Sequence, residues 1–206
     1  MTTPQPQNKG IKRLLFGNYA EYAARLAPIF ALCCFLFGFS VGMGYLLGKT
    51  IPSTAMNDII GAFPDPSKMS LLELFGFIAW NNTSKSLLFL LGGLLGGVLP
   101  LFFVVFNGFF IGWVSYSLGA VRGIGYIITG LAPHGIIEIP AIILAMSIGM
   151  SLGYAVLNSL RGEGNIMKEA KSAIGLFLTR VVPMLIIAAI IEVTLTPLIM
   201  ALVGYF

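Results

Sequence analysis

The chain has 206 residues, of which 57% are hydrophobic and only 10% charged, with a mean hydropathy of +0.93 and a formal net charge of +4. A water-soluble domain carries about a quarter charged residues, and several apolar runs here reach the roughly 20 residues that cross a bilayer core. Composition therefore excludes a soluble globule. The absence of short alternating segments excludes a transmembrane barrel, and with no basic patch interleaved with aromatics, nucleic acid is not an expected partner. What remains is an all-α, polytopic helical membrane protein whose first partner is the lipid bilayer.

Residues 1–9 are polar and rich in Pro and Gln, which predicts disorder. From Ile11 to Leu26, Ile11, Leu14, Leu15, Tyr19, Tyr22 and Leu26 recur at helical spacing among Lys12, Arg13, Glu21 and Arg25. That pattern predicts an amphipathic helix at the interface, so residues 1–26 read as a cytoplasmic arm and 27–206 as the membrane domain. The first span is expected near 27–48. It is too long for a signal-peptide core and lacks a convincing cleavage site. Gly38 and Gly42, then Gly44 and Gly48, form small-xxx-small pairs suited to close helix packing. Cys33 and Cys34 are neighbours on this helix and point in different directions, so they read as small apolar fillers.

The segment 49–85 is broken by Pro52, Pro64 and Pro66. Ser70-Leu-Leu-Glu73 is a capping-box pattern. It predicts a short interfacial helix with Trp80 at headgroup level, ended by a turn and cap at Asn81-Asn82-Thr83-Ser84. Residues 86–121 carry no charge at all. As one helix they would measure about 54 Å at 1.5 Å per residue, too long for a hydrocarbon core of about 30 Å. Two spans, near 86–106 and 109–131, are expected, with Pro100 and Asn107-Gly108 as candidate breaks and another near Arg122-Gly123. Basic residues favour this division. It places Lys9, Lys12, Arg13, Arg25, Arg161, Lys168, Lys171 and Arg180 on the cytoplasmic side, and Lys49, Lys68, Lys85 and Arg122 on the other. Further spans follow near 134–157 and 179–203, the last bent at Pro183 and Pro197, giving five in all with the amino terminus cytoplasmic. Gly92 and Gly96 mark a close-packing face, as do Ala141, Ala145, Gly149 and Gly153 on the fourth span.

His134 is the single histidine, and Glu138 lies four residues on, so the two share a helix face. Glu192 falls near the middle of the last span. Ionisable groups in a membrane span mark functional sites by default. Asn107, Asn81 and Asn82 complete the set of candidate polar residues. Three readings stay open: interhelical hydrogen bonds that fix register, a conduit for protons, ions or a small solute, and an intramembrane metal hydrolase. The last requires a metal on His134, Glu138 and Glu192, and no His-Glu-x-x-His pattern or separate general base accompanies them. No other cofactor is expected. By span depth, Glu138 lies about 6–8 Å and Glu192 about 16 Å from the outer edge at 1.5 Å per residue. His134 with Glu138 is then the closer pair, and Asn107 falls near the opposite end as a helix break.

Taken in order, Trp80-Asn81-Asn82, Asn107-Gly108 with Gly112, His134-Gly135-Ile136-Ile137-Glu138, Ala189-Ile190-Ile191-Glu192-Val193-Thr194 and Thr196-Pro197 resemble the stage II sporulation protein M family across residues 70–200. The resemblance implies a non-enzymatic membrane component. In sporulating bacteria the family member serves as a scaffold for peptidoglycan-degrading partners during engulfment. For this chain it implies a cell-membrane scaffold working with other membrane or envelope proteins in envelope remodelling, through its helices or the 49–85 segment. Transport through the His/Glu site is the alternative. The small-residue faces suit a homodimer and intrachain packing equally.

Overall fold

A computed structural model describes residues 19–52, 54–55, 61 and 64–205. The expected disorder at 1–9 and the first turns of the amphipathic helix lie outside those residues. Helix α1, Ala20–Leu47, runs without interruption from the amphipathic stretch into the apolar one and ends in a 3-10 turn, Gly48–Thr50. Tyr22 and Leu26 are buried while Glu21 and Arg25 stay exposed, so the stripe in this stretch packs on the protein rather than forming a separate interfacial helix.

Helix α2, Leu71–Gly92, starts at the capping box: Glu73 N–H donates to Ser70 Oγ, and Ser70 N–H donates to Glu73 Oε2 at 2.8 Å. The expected turn at Asn81–Ser84 does not form. Ser84 Oγ instead donates to the Asn81 carbonyl and Asn81 Nδ2 to Asn82 Oδ1, which satisfies these side chains on the helix itself. With no proline to break it, the helix continues to Gly92.

The break in the long uncharged stretch comes earlier than Asn107-Gly108. A 3-10 turn at Gly93–Leu95 leads into Gly96 and Gly97, both left-handed (φ 76° and 81°), a conformation glycine adopts without a Cβ penalty. Helix α3, Val98–Arg122, then passes straight through Asn107 and Gly108. Gly123, at φ 85°, turns the chain at the expected second break, and α4 runs from Ile124 to Leu160. The helices therefore do not coincide with the expected 86–106 and 109–131 spans. The four-glycine cluster, not the asparagine, makes the turn.

After a short loop come α5 (Ile166–Leu176), a π segment (Phe177–Val181), α6 (Val182–Val193) and α7 (Leu195–Leu202). The π segment ends two residues before Pro183, and the break at Thr194 lies three residues before Pro197. Both prolines lack the N–H that a regular helix needs there. Four stretches are long and apolar enough to cross a membrane: Ala20–Thr50, α3, α4, and the run Ile166–Leu202. Helix α2 is not one of them, since the polar residues 81–86 occupy its middle. Among the described residues there is no strand. The protein is an all-α polytopic membrane protein.

Helix α4 is the central post and packs on every other long helix. Helices α1 and α3 lie parallel. Gly44 faces the Phe109 backbone, Gly108 the Phe37 carbonyl and Gly112 the Val41 carbonyl, so each glycine admits a neighbouring backbone. One core cluster joins α1, α2, α4, α5 and α6 around Leu26, Leu90, Ile148 and Leu185; a second joins α1 to α4 around Cys33, Phe37, Val104 and Met146. Cys33 and Cys34 are free thiols. The face of Ala141, Ala145, Gly149 and Gly153 is wholly buried, and the α2–α3 turn fills it: a Cβ on Gly93 would strike the Gly149 carbonyl, and one on Gly153 the Gly97 amide. Gly92 meets Leu99 and Gly96 approaches Leu157, whereas Gly38 and Gly42 face open space.

Candidate functional site

The register of α4 against α6 and α7 decides which polar residues meet. These elements run antiparallel, with Gly130 beside Met200 and Gly125 beside Tyr205. Counted from the true start of α4 at Ile124, Glu138 lies about 21 Å along the helix at 1.5 Å per residue, far deeper than a span starting at His134 would put it. Glu138 lies eight residues past Gly130 and Glu192 eight residues before Met200, each about 12 Å from that contact, so the two sit at a matching level. His134, Glu138 and Glu192 accordingly converge, with ligating atoms all within 4.8 Å of one another. The sequence-based depth estimate set the two carboxylates apart because it began the helix ten residues too late.

Each of the three side chains is half-buried. His134 Nδ1 lies 3.3 Å from the hydroxyl of Thr196, a residue only 6% exposed, and this contact orients the ring. Pro133 and Pro140 flank the pair within α4. Each removes the N–H that would serve the carbonyl four residues earlier, at Thr129 and Ile136, so the helix is least tightly bonded around the site. Glu138 Oε2 is sealed from solvent and accepts no hydrogen bond. In a low-dielectric interior, such an atom costs the full desolvation of the group unless a proton or cation meets it.

Beside these residues is a cavity of about 50 Å³, lined by Phe37, Asn107, Ile111, Leu131, His134, Gly135, Glu138, Ile139 and Ile142. A water molecule needs roughly 10–15 Å³ of such space, so the cavity suits a few waters or one small ion. Asn107 belongs to this wall, not to the far end of a span. Its amide donates to the Phe103 carbonyl at 2.8 Å inside continuous helix. Asn81 and Asn82 are not among the lining residues. Lys85, an exposed residue of α2, acts electrostatically on Glu138. The sequence names Thr196 only within the Thr-Pro motif and Lys85 only as a basic residue on the outer side, and places neither at the site. The position of Thr196 four residues after Glu192, across the break at Thr194, is the spacing that could have found it.

The arrangement can hold a proton or bind a cation. It has the histidine and two acids of a three-ligand metal set. Among the described residues no other group of three such side chains gathers closely enough to hold an ion. A separate cluster ties the opposite end of the bundle: Arg25 pairs with Glu169 at 3.4 Å, and Ser151 Oγ donates to Glu169 Oε1 at 2.8 Å. It joins α1, α4 and α5.

Comparison with known proteins follows the same residues. The chain is 30% identical over 105 residues to an uncharacterized protein of Methanocaldococcus jannaschii, covering 48% of this chain and 47% of that protein. It is 33% identical over 127 residues to a second uncharacterized protein of the same organism, covering 60% of this chain and 71% of the relative. The match thus spans about half the length of the first relative. No solved structure matches the chain. The family model described as stage II sporulation protein M matches residues 31–197, which runs from within α1 to the start of α7 and takes in every residue of the His/Glu site. The chain belongs to the stage II sporulation protein M family.

Proposed function

We propose that this protein is a non-enzymatic assembly component of the cell membrane, with its amino terminus cytoplasmic, that holds membrane or envelope partners in place. Family membership supports the reading, and so does the architecture. The soluble parts are short, while long apolar faces of α1 and α3, with Phe35, Phe39, Phe102 and Phe106 exposed, are available to lipid or to partner helices. The observation that carries it most is the size of the cavity at the His/Glu site: about 50 Å³ fits a bound ion or a few waters and is too small for a larger solute. The His/Glu site then acts as a register lock joining α3, α4, α6 and α7.

A second reading, a proton or cation conduit, is favoured by one observation, the convergence of two carboxylates and a histidine inside an apolar bundle. Reconstitution separates the two. Liposomes containing the purified protein are expected to show no proton or cation flux above empty vesicles, while affinity purification from native membranes retains an envelope protein. Flux that disappears in Glu138→Gln overturns the assembly reading.

A further inference from the structure

We propose that His134, Glu138 and Glu192 bind one divalent transition-metal ion of the Zn²⁺, Mn²⁺ or Fe²⁺ class, with Thr196 as the positioning residue for the histidine and the cavity beside Asn107 holding a water on the remaining coordination position. The inference goes beyond the assembly reading and stands apart from it. A protein found metal-free that still retains its partners overturns this inference alone, and a metal-loaded protein that conducts overturns only that reading.

Three independent features carry it. The first is the donor set. One imidazole with two carboxylates mixes the donors that zinc, iron and manganese accept, whereas calcium takes six to eight oxygens and magnesium keeps most of its waters. The ligating atoms lie within 4.8 Å of one another. Around an ion with bonds of about 2.0–2.2 Å, tetrahedral ligands stand roughly 3.3–3.6 Å apart. Closing the difference takes at most about 1.2–1.5 Å of movement from flexible glutamate side chains.

The second is the sealed oxygen Glu138 Oε2, which no donor among the described residues satisfies. An acceptor in that position is completed by a cation or by a proton, and the histidine and second carboxylate gathered beside it favour the cation. The third is the contact of Thr196 on Nδ1. In the tautomer whose Nδ1–H donates to the Thr196 hydroxyl, the contact fixes the ring and frees Nε2 to ligate, as the second hydrogen bond of metal-bound histidines does. Charge agrees as well: a neutral imidazole and two carboxylates with a divalent ion give a neutral centre, the least costly state in hydrocarbon. The rival compensation is the Lys85 ammonium acting on Glu138 together with a proton held between the carboxylates.

The full chain, purified in detergent micelles, is stripped with chelator, incubated separately with Zn²⁺, Mn²⁺ and anaerobic Fe²⁺, desalted and analysed for metal. Wild type is expected to retain about one equivalent of one of these ions per chain. Glu138→Gln and Glu192→Gln, isosteric and neutral, lower the affinity at least tenfold. Thr196→Val lowers it about tenfold or more, in the range that positioning partners show, and Thr196→Ser restores it. Glu73→Gln, at the start of α2, leaves retention unchanged. Retention below a tenth of an equivalent with all three ions overturns the proposal, as does retention that survives the Glu138→Gln/Glu192→Gln double variant. Should the variants fail to fold, X-ray absorption at the metal edge of the wild type decides. Nitrogen and oxygen neighbours with a single imidazole are expected; sulfur in the coordination sphere contradicts the assignment.

Discussion

The two halves of the central helix α4 pack in opposite ways. From Ala141 to Gly153 its small residues let the α2–α3 turn approach until backbone meets backbone, with nothing polar left over. From Pro133 to Pro140 the same helix carries two prolines, lines a cavity and holds a carboxylate oxygen with no donor among the described residues. The contrast separates two kinds of work. The dry half sets where the helices stand, and the polar half is left incomplete by the chain itself. An incomplete polar group inside a close-packed bundle persists only where the surroundings hold it in place.

The largest expected effect comes from filling the dry half. A Cβ on Gly153 would overlap the Gly97 amide, and one on Gly93 the Gly149 carbonyl, and a backbone cannot step aside as a side chain can. Gly153→Val or Gly93→Val should lower stability by about 3 kcal/mol or more, the upper end for overpacking, read as loss of a monodisperse species and of the thermal transition in detergent. Gly38→Val and Gly42→Val, facing open space on α1, should change stability by no more than about 0.5 kcal/mol. If they alter the oligomeric state instead, that face is a contact between copies.

An intermediate effect is expected at the cavity wall. Asn107→Leu removes the amide bond to Phe103 and places a branched chain beside Glu138. A loss of about 1 kcal/mol follows from the hydrogen bond, measured as a fall in melting temperature. At the opposite end of the bundle, Glu169→Ala removes both the Arg25 pair and the Ser151 bond. With Arg25 more than half exposed, its pair is worth at most about 1 kcal/mol and weakens as salt rises. A melting temperature that tracks salt in wild type and not in the variant checks this.

The smallest effect concerns pH outside the membrane. Ser70 backbone N–H and hydroxyl hold the Glu73 carboxyl below its ordinary range, and the Ser67 hydroxyl and N–H do the same for Asp65. Groups with depressed values add stability that is present above the unfolded value and is lost as pH falls through the folded one. The first turn of α2 should therefore fray below about pH 4, read as faster amide exchange at residues 71–74. Exchange insensitive to pH there, after correction for the intrinsic rate, contradicts the capping geometry.

Much of the fold was legible because its signals are chemical and local. The apolar runs gave the class, Ser70 and Glu73 gave the start of α2, and Gly123 gave a turn. The errors also have physical causes. Asn107-Gly108 resembles a break, yet an asparagine that bonds the carbonyl four residues back leaves a helix intact, and the actual turn needs two consecutive left-handed glycines. Asn81–Ser84 resembles a cap, yet its side chains find partners along the helix. The site was half legible. His134 and Glu138 are paired by spacing alone, while the arrival of Glu192 and Thr196 depends on interhelical register, which no local pattern carries.

A double-mutant cycle on Glu138 and Glu192 tests that convergence most directly. Thermal stability is measured in detergent for wild type, Glu138→Gln, Glu192→Gln and the double variant under one fixed buffer. Direct contact predicts that the two substitutions couple by about 0.5–3 kcal/mol. Effects that add to within about 0.3 kcal/mol would place the two carboxylates in separate surroundings and contradict the site.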